Sequence, residues 1–379
     1  MSSDPLDRRA ALGSPRRILV KIGSNVLTSP RGGLDRRRVF HLADQVCTLC
    51  DQGREVIMVS SGAIAAGVAE LGLPGRPTTM PELQAAAAVG QSRLIQTYHQ
   101  AFRRHGRSVG QVLLSREDME DRGRFLNTRN TLRALVALRC VPIINENDSV
   151  SVEEIRYGDN DFLAAHLATL MLADLLVILS TVDGLYEADE RGGHRVVRVV
   201  ERVSEEVLRL DDGGKSARGT GGMGSKLKAA AMLTKAGVPV VVANGRHRDV
   251  LPQVVAGEEV GTLFMPAPRR MASRKRWIAF TARPKGRLVV DDGARRALVE
   301  RGKSLLASGI RAVHGTFEQG DVVALVVGHS GAPFARGLTN YSSAELTLIQ
   351  GYHTRDIQAR LGHKEYDEVV HRDTLVLLT

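Results

Sequence analysis

The sequence predicts an α/β protein in two parts: a mainly parallel sheet sandwiched by helices over residues 17–265, and a small β-barrel-like domain over 277–379. Three observations predict it. Apolar runs of strand length alternate with longer segments of helical period, as in parallel strands joined by crossover helices. After Met265 the texture changes, and Pro266-Ala267-Pro268-Arg269-Arg270 with Ser273-Arg274-Lys275-Arg276 reads as a linker spanning residues 266–276. Beyond it, short β runs are punctuated by turns rich in Gly and Asp. A chain of 379 residues also makes two domains the ordinary expectation.

In order, a polar lead (residues 1–16), expected to be disordered, gives way to the strand Ile18-Leu19-Val20-Lys21 and a turn at Gly23. Leu34 to Gly53 carries Val39, Leu42, Val46 and Leu49 at helical spacing, with Gly53 as the stop. Val56 to Val59 is the next strand, ending in Ser60-Ser61-Gly62, and two helices follow up to His105. Val109 to Leu114, Val141 to Ile144, Leu175 to Leu179 and Val238 to Ala243 are further strands, giving five or six parallel strands in all. Helices are expected around Phe125 to Leu138, Asp161 to Leu172, Ser225 to Ala236 and Asp249 to Val255. In the second part, strands are expected at Arg287 to Val290, Val322 to Val327 and Thr374 to Leu378, with helical pieces at Ala294 to Arg301 and Ser343 to Leu348.

The net charge of +10 is unevenly spread. Residues 266–379 hold 18 Lys+Arg against 11 Asp+Glu, or +7, so a polyanion such as RNA is a candidate partner there, as is a plain basic surface. Cys47 and Cys50 have CxxC spacing, but no second pair or His cluster completes a zinc site, and on a helix they share a face as small core residues. The amino terminus lacks the apolar core of a signal peptide, and no run reaches the roughly 18 apolar residues of a membrane span, so a cytoplasmic protein is expected.

Chemistry concentrates at the ends of strands. Lys21 ends a buried strand, where a cation is costly unless an anion or water meets it; a lysine at a sheet rim can also snorkel. Ser60-Ser61-Gly62 offers hydroxyls and N–H groups at a helix start, as a simple cap would. Gly219-Thr220-Gly221-Gly222-Met223-Gly224-Ser225-Lys226 leaves backbone N–H groups free to point at an anion, with the positive end of a helix and a lysine beside them. A dinucleotide fingerprint is disfavoured: a polar run precedes this loop and the next strand ends in Asn244 rather than an acid. It is not a Walker A loop, since Lys226 follows Ser225. A flexible structural loop stays open as a reading. Between Asn145 and Asp161 stand six acids, Glu146, Asp148, Glu153, Glu154, Asp159 and Asp161, which fit either a magnesium or calcium site or a solvated loop. Polar groups at four strand ends (Lys21, Ser61, Asn145 to Asp148, Ser180) on one edge of the sheet point to a ligand crevice.

Several strings are specific in combination. Leu19-Val20-Lys21-Ile22-Gly23-Ser24, Ser61-Gly62-Ala63-Ile64-Ala65-Ala66-Gly67, Ala88-Val89-Gly90-Gln91-Ser92-Arg93-Leu94, Asn145-Glu146-Asn147-Asp148, Gly158-Asp159-Asn160-Asp161 and Gly219 to Met223 followed by Lys226 occur in this order. With them the chain closely resembles the glutamate 5-kinase family of the amino-acid kinase superfamily after about residue 16. Gly315-Thr316-Phe317, Gly320-Asp321 and Arg336-Gly337-Leu338 make the C-terminal part look like a PUA domain, a module that binds RNA in other proteins.

The resemblance implies ATP-dependent phosphorylation of the side-chain carboxylate of L-glutamate, the first step of proline synthesis, with Mg2+ carried mainly by the nucleotide. It implies that Lys21 and Lys226 neutralise the moving phosphoryl group and that Asp161 orients them. Asp148 would meet the substrate ammonium, and Ser61 and Asn160 its carboxylate or backbone. Ser180 and Thr181 would lie beside the nucleotide, and Thr220, Gly221, Gly222, Met223, Gly224, Ser225 and Lys226 would wrap its phosphates. Set beside these residues, the acid cluster reads as a substrate pocket and no metal-ligating residue is assigned, Glu153 and Glu154 becoming solvated loop residues. A homo-oligomer, feedback inhibition by proline and a glutamyl phosphate reductase partner are further implications. Two departures stand out: Ser180-Thr181 replaces the more frequent Thr-Asp, and Gly224-Ser225 replaces a pair of hydroxyl residues before the lysine. The alternatives weighed are another small-molecule kinase on this fold and an RNA-binding regulatory protein.

Overall fold

A computed structural model describes residues 9, 13–29, 32–150, 160–188, 193–210, 222–268, 271–328 and 331–378. By contact it divides into two compact units, residues 1–119 with 123–270, and residues 120–122 with 271–379.

The first unit is built on a sheet of order β3-β4-β2-β1-β5-β9-β10-β8. The strands are β1 Arg17–Ile22, β2 Glu55–Ser60, β3 Val109–Leu114, β4 Val141–Glu146, β5 Leu175–Ser180, β6 Tyr186–Ala188, β7 His194–Val196, β8 Val199–Val200, β9 Val240–Asn244 and β10 Thr262–Phe264, with β6 and β7 forming a separate hairpin. Strands β3, β4, β2, β1, β5 and β9 pair in parallel, matching the continuous apolar runs of strands covered on both faces. β10 joins antiparallel to β9, and with β8 it extends the edge. These last strands are two or three residues long, too short for a period to be read.

Helices α1 Ser24–Leu27, α2 Arg36–Asp51, α3 Ala63–Glu70, α4 Met80–Arg103, α5 Arg116–Glu120, α6 Arg122–Ala137, α7 Asn160–Met171, α8 Glu205–Arg209, α9 Met223–Lys235 and α10 Val250–Val255 complete the first unit, apart from Glu120 and Arg122. The Asp35 carboxylate caps α2 by accepting from the Arg38 N–H at 3.1 Å. Helices α3 and α4 cross at backbone contact. A Cβ on Gly67 would lie 1.7 Å from the Ala86 carbonyl oxygen, and one on Gly90 would lie 1.8 Å from that of Ala63. The cysteines are free thiols; burial pushes Cys47 up to about 12 and raises Cys50 and Cys140, which removes them as nucleophiles at neutral pH.

One residue of the lead is anchored. Arg9 is buried, and its guanidinium donates to the carbonyl oxygens of Arg198, Glu258, Val260 and Gly261 at 2.8–3.1 Å. Reading residues 1–16 as a loose lead omits this anchor, because one arginine among several carries no mark in the sequence.

The second unit holds helix α11 Ser273–Arg276, where only linker was expected, and a π-helical turn at Trp277–Thr281. Its five-stranded sheet has the order β12-β11-β13-β14-β15, from β11 Gly286–Val290, β12 Ile310–Gly315, β13 Val322–Val327, β14 Ala335–Thr339 and β15 Val370–Leu377. Helices α12 Asp292–Arg301, α13 Ser343–Ile349 and α14 Ile357–Leu361 pack around it. Strands β12 and β14 escape sequence reading because Arg311, His314, Arg336 and Gly337 interrupt their apolar runs.

Candidate functional site

The parallel register aligns the carboxyl ends of the central strands. Ile22 of β1 pairs with Ser60 of β2 and with Leu179 of β5, Val59 with Ile144 of β4, and Ser180 with Asn244 of β9. Chain order reverses direction between β1 and β5, the place where open α/β sheets keep their ligands. Gly23 turns out of β1 there, its N–H bonding the Leu179 carbonyl at 3.0 Å; a Cβ would stand 3.3 Å from that oxygen.

A buried charge triad occupies the crevice. Lys21 Nζ lies 2.6 Å from Asp161 Oδ1, and Lys226 Nζ lies 3.1 Å from Asp161 Oδ2. Ser225 Oγ donates to the same Oδ2 at 2.7 Å. The side chains of Lys21 and Lys226 are 5% and 6% exposed and that of Asp161 is 0%, so water screens none of the three. Burial alone would raise the Asp161 carboxyl; Lys21 and Lys226 more than offset it and hold the acid well below the usual carboxylate range. The triad therefore carries a net charge of about +1.

Helix α9 begins earlier than its sequence pattern implies. Its N-cap is Gly222 and its first turn is Met223-Gly224-Ser225, so Gly224 is helical rather than part of a loop. Lys226 Nζ also donates to the Gly222 carbonyl at 3.1 Å, which ties the lysine to the helix start. Thr220 and Gly221 lie outside the described residues, as do Glu153, Glu154 and Asp159.

Beside the triad, Ser61 and Asn160 meet. Asn160 Nδ2 lies 2.9 Å from Ser61 Oγ, 2.9 Å from the Ser60 carbonyl and 3.0 Å from Asn145 Oδ1, its two hydrogens shared among the three. Asp148 is half-buried in the turn after β4. Sequence reading missed the groups beneath them: Asn145 Nδ2 donates to Gln91 Oε1 at 2.8 Å, and Ser60 Oγ stands 2.9 Å from Tyr98 Oη. Gln91 belongs to a matching string, and Tyr98 carries no motif at all.

Ser180 ends β5 and Thr181 follows it, and both are half-buried. The Ser180 carbonyl already accepts from the Gly245 N–H at 2.8 Å. A carboxylate that sequence reading passed over stands close by in the chain. Asp183 accepts from Asn244 Nδ2 at 2.9 Å, lies 2.8 Å from His247 Nε2 and accepts from Tyr186 Oη at 3.1 Å. The bonds from Asn244 and His247 hold it below the usual carboxylate range, so it is an ionised acceptor. Among the described residues, no group of three or more His, Cys, Asp and Glu side chains could hold a metal ion, and no helix is long and apolar enough to cross a membrane.

Residues 16–244 match the model of the amino acid kinase family, and residues 286–361 match the PUA domain. Glutamate 5-kinase of Syntrophotalea carbinolica is 48% identical over 98% of this chain and 99% of that protein. Glutamate 5-kinase of Geobacter sulfurreducens is 48% identical over 98% of this chain and 100% of that protein, and the enzyme of Caldanaerobacter subterraneus is 48% identical over 96% and 98%. Similarity of this depth across both parts leaves one assignment: the chain belongs to the amino acid kinase family, among its glutamate 5-kinases, and carries a PUA domain.

Proposed function

We infer that this protein transfers the terminal phosphoryl group of ATP to the side-chain carboxylate of L-glutamate, giving L-glutamyl 5-phosphate for proline synthesis. The observation that carries the mechanism is the buried Lys21–Asp161–Lys226 triad. The nucleophile is a carboxylate of pKa about 4.3, ionised at neutral pH, so no base is required. That suits a crevice whose central acid is ionised and fully engaged by cations. Catalysis is alignment plus charge stabilisation on the moving phosphoryl group. Lys21 and Lys226 supply the charge, and Asp161 fixes where their ammonium groups stand. Asp148 pairs with the substrate ammonium. Ser61 holds its α-carboxylate: the Ser61 oxygen already accepts from Asn160, so its own hydrogen is left to donate.

The segment Thr220 to Lys226 takes the phosphates, with the N–H groups of the first turn of α9 and Lys226 facing them. Ser180 and Thr181 line the nucleotide, and Asp183, fixed by Asn244 and His247, accepts from its sugar hydroxyls. Asp161 has Lys21, Lys226 and Ser225 within 3.1 Å of its oxygens, so its charge is already compensated by cations. Mg2+ would be carried mainly by the nucleotide and would supply charge neutralisation on its phosphates. Proline occupies the glutamate pocket as feedback inhibitor, and the labile acyl phosphate is passed to a reductase.

A panel of acceptors tests the reading by ADP release. Glutamate turns over and acetylglutamate, lacking the ammonium that Asp148 meets, does not. Turnover of acetylglutamate with none of glutamate would overturn the assignment.

RNA is a second ligand, favoured by the excess of +7 over residues 266–379; a cavity of about 650 Å³ in the second unit is lined by Lys303 and Arg372 but also by Asp291 and Glu368, so it is not itself basic. Binding of a short RNA by the full chain should weaken steeply with salt. Absence of binding at low salt would leave the excess of +7 as a plain surface.

A further inference from the structure

Two side chains of α4 reach under the Ser61–Asn160 pair without belonging to it. Gln91 and Tyr98 are seven residues apart, two helical turns, and so share a face. Tyr98 is fully buried, and burial pushes its phenol up, so the hydroxyl keeps its proton. Ser60 Oγ donates to the Ser61 carbonyl at 3.2 Å. A hydroxyl has one hydrogen, so the arrangement that satisfies both groups has Tyr98 donating and Ser60 accepting at the 2.9 Å contact. The chain of bonds thus runs Tyr98 to Ser60 to the Ser61 carbonyl. That carbonyl belongs to the peptide leading into Gly62, whose φ of 99° is a region a glycine enters at little cost. A peptide beside such a glycine rotates easily unless something holds its oxygen.

The second chain is as directional. Asn160 Nδ2 faces three acceptors, which fixes which end of that amide is nitrogen. Asn145 Oδ1 accepts from Asn160 and from the Glu146 N–H, so Asn145 Nδ2 must donate, and it does so to Gln91 Oε1. Asn145 is 2% exposed and Asn160 6%, so water cannot substitute for a lost partner without a rearrangement.

We propose that Tyr98 and Gln91 are positioning residues for the acceptor substrate: Tyr98 locks the Ser61–Gly62 peptide through Ser60, and Gln91 locks Asn160 through Asn145. This rests on the reading of Ser61 and Asp148 as the glutamate pocket. Among the described residues, Tyr98 and Gln91 bond to Ser60 and Asn145, and not to Lys21, Lys226 or Ser225. Loss of either therefore acts on glutamate and leaves ATP alone.

The test uses Tyr98→Phe and Gln91→Met, which keep size while removing one hydroxyl and one acceptor. Each should raise KM for glutamate about tenfold, with KM for ATP unchanged and Tm shifted by only a few degrees. A fall in Tm with KM for glutamate intact in both variants would make them structural bonds and overturn the proposal, as would an equal rise in KM for both substrates. Should Tyr98→Phe fail to fold, Gln91→Met decides by the same criteria. Ser61→Ala and Asp148→Asn measured alongside separate the two readings. If these leave KM for glutamate unmoved, the pocket reading is what fails; if they raise it and the α4 variants do not, only the positioning role falls.

Discussion

Replacing Asp161 by Asn keeps the shape of the triad and removes its only anion. In the native site the carboxylate stands 2.6 Å from Lys21 Nζ and 3.1 Å from Lys226 Nζ with all three side chains at most 6% exposed. At an effective dielectric of about 20, each contact has a gross attraction of roughly 5–6 kcal/mol, most of it offset by the cost of taking the ions out of water. What removal leaves is more telling: two buried ammonium groups facing each other, and a centre that goes from +1 to +2. Breaking a buried pair in this way costs about 3–5 kcal/mol, a fall in Tm of roughly 10 °C for a unit of this size. ATP or inorganic phosphate should raise the Tm of Asp161→Asn more than that of the native protein, because the lysines then regain a counter-ion. The pH dependence follows from the depressed acid. Its stabilising effect is complete above the unfolded carboxylate pKa of about 3.9 and is lost as pH falls below that through the folded value. The native protein should thus be flat near neutrality and lose stability in acid, and the variant should lack that loss. Scanning calorimetry with and without phosphate reads all of this. A variant as stable as native, with turnover intact, would refute the argument from the triad.

Other perturbations separate the parts of the site. Lys226→Ala should lower kcat by about 10²–10³, the scale of removing one charge stabiliser; an undiminished rate would remove it from the mechanism. Asp183→Asn should raise KM for ATP severalfold and leave that for glutamate alone, since its fixed contacts with Asn244 and His247 keep it on the nucleotide side; steady-state kinetics at saturating co-substrate decides. Gly90→Ala should yield little folded protein, because its Cβ would sit 1.8 Å from the Ala63 carbonyl and neither helix backbone can yield that far; native-like Tm would contradict it.

What could be read in the sequence was what repeats or what is rare. The parallel strands are continuous apolar runs, and Lys21 stands out because a lysine seldom ends one. Gly219 to Lys226 shows its glycines, although the cap at Gly222 shifts the helix start by two residues from the apparent one at Ser225. Strands β8 and β10 are too short to show a period, and β12 and β14 are broken by basic residues and glycine. Gln91 was seen only as part of a matching string, without a role, and Tyr98 was invisible for another reason. On a helix whose buried face already includes Leu94, Ala101 and Phe102, a tyrosine looks like one more core residue. Only the position of Ser60, 38 residues away in sequence, gives its hydroxyl a task.

The same logic bears on Asp161, the last of the acids in residues 145–161. Density of carboxylates in a loop says that charge is needed, and a metal is the simplest need to imagine. Asp161 is instead met by Lys21 from β1 and by Lys226 and Ser225 from α9, elements 140 and 65 residues away on either side. An acid that already faces two ammonium groups and a hydroxyl has its charge compensated and offers little attraction to a further cation. On the function proposed above, it holds two lysines where a phosphoryl group would pass, and the charge acting on turnover is the +1 left over.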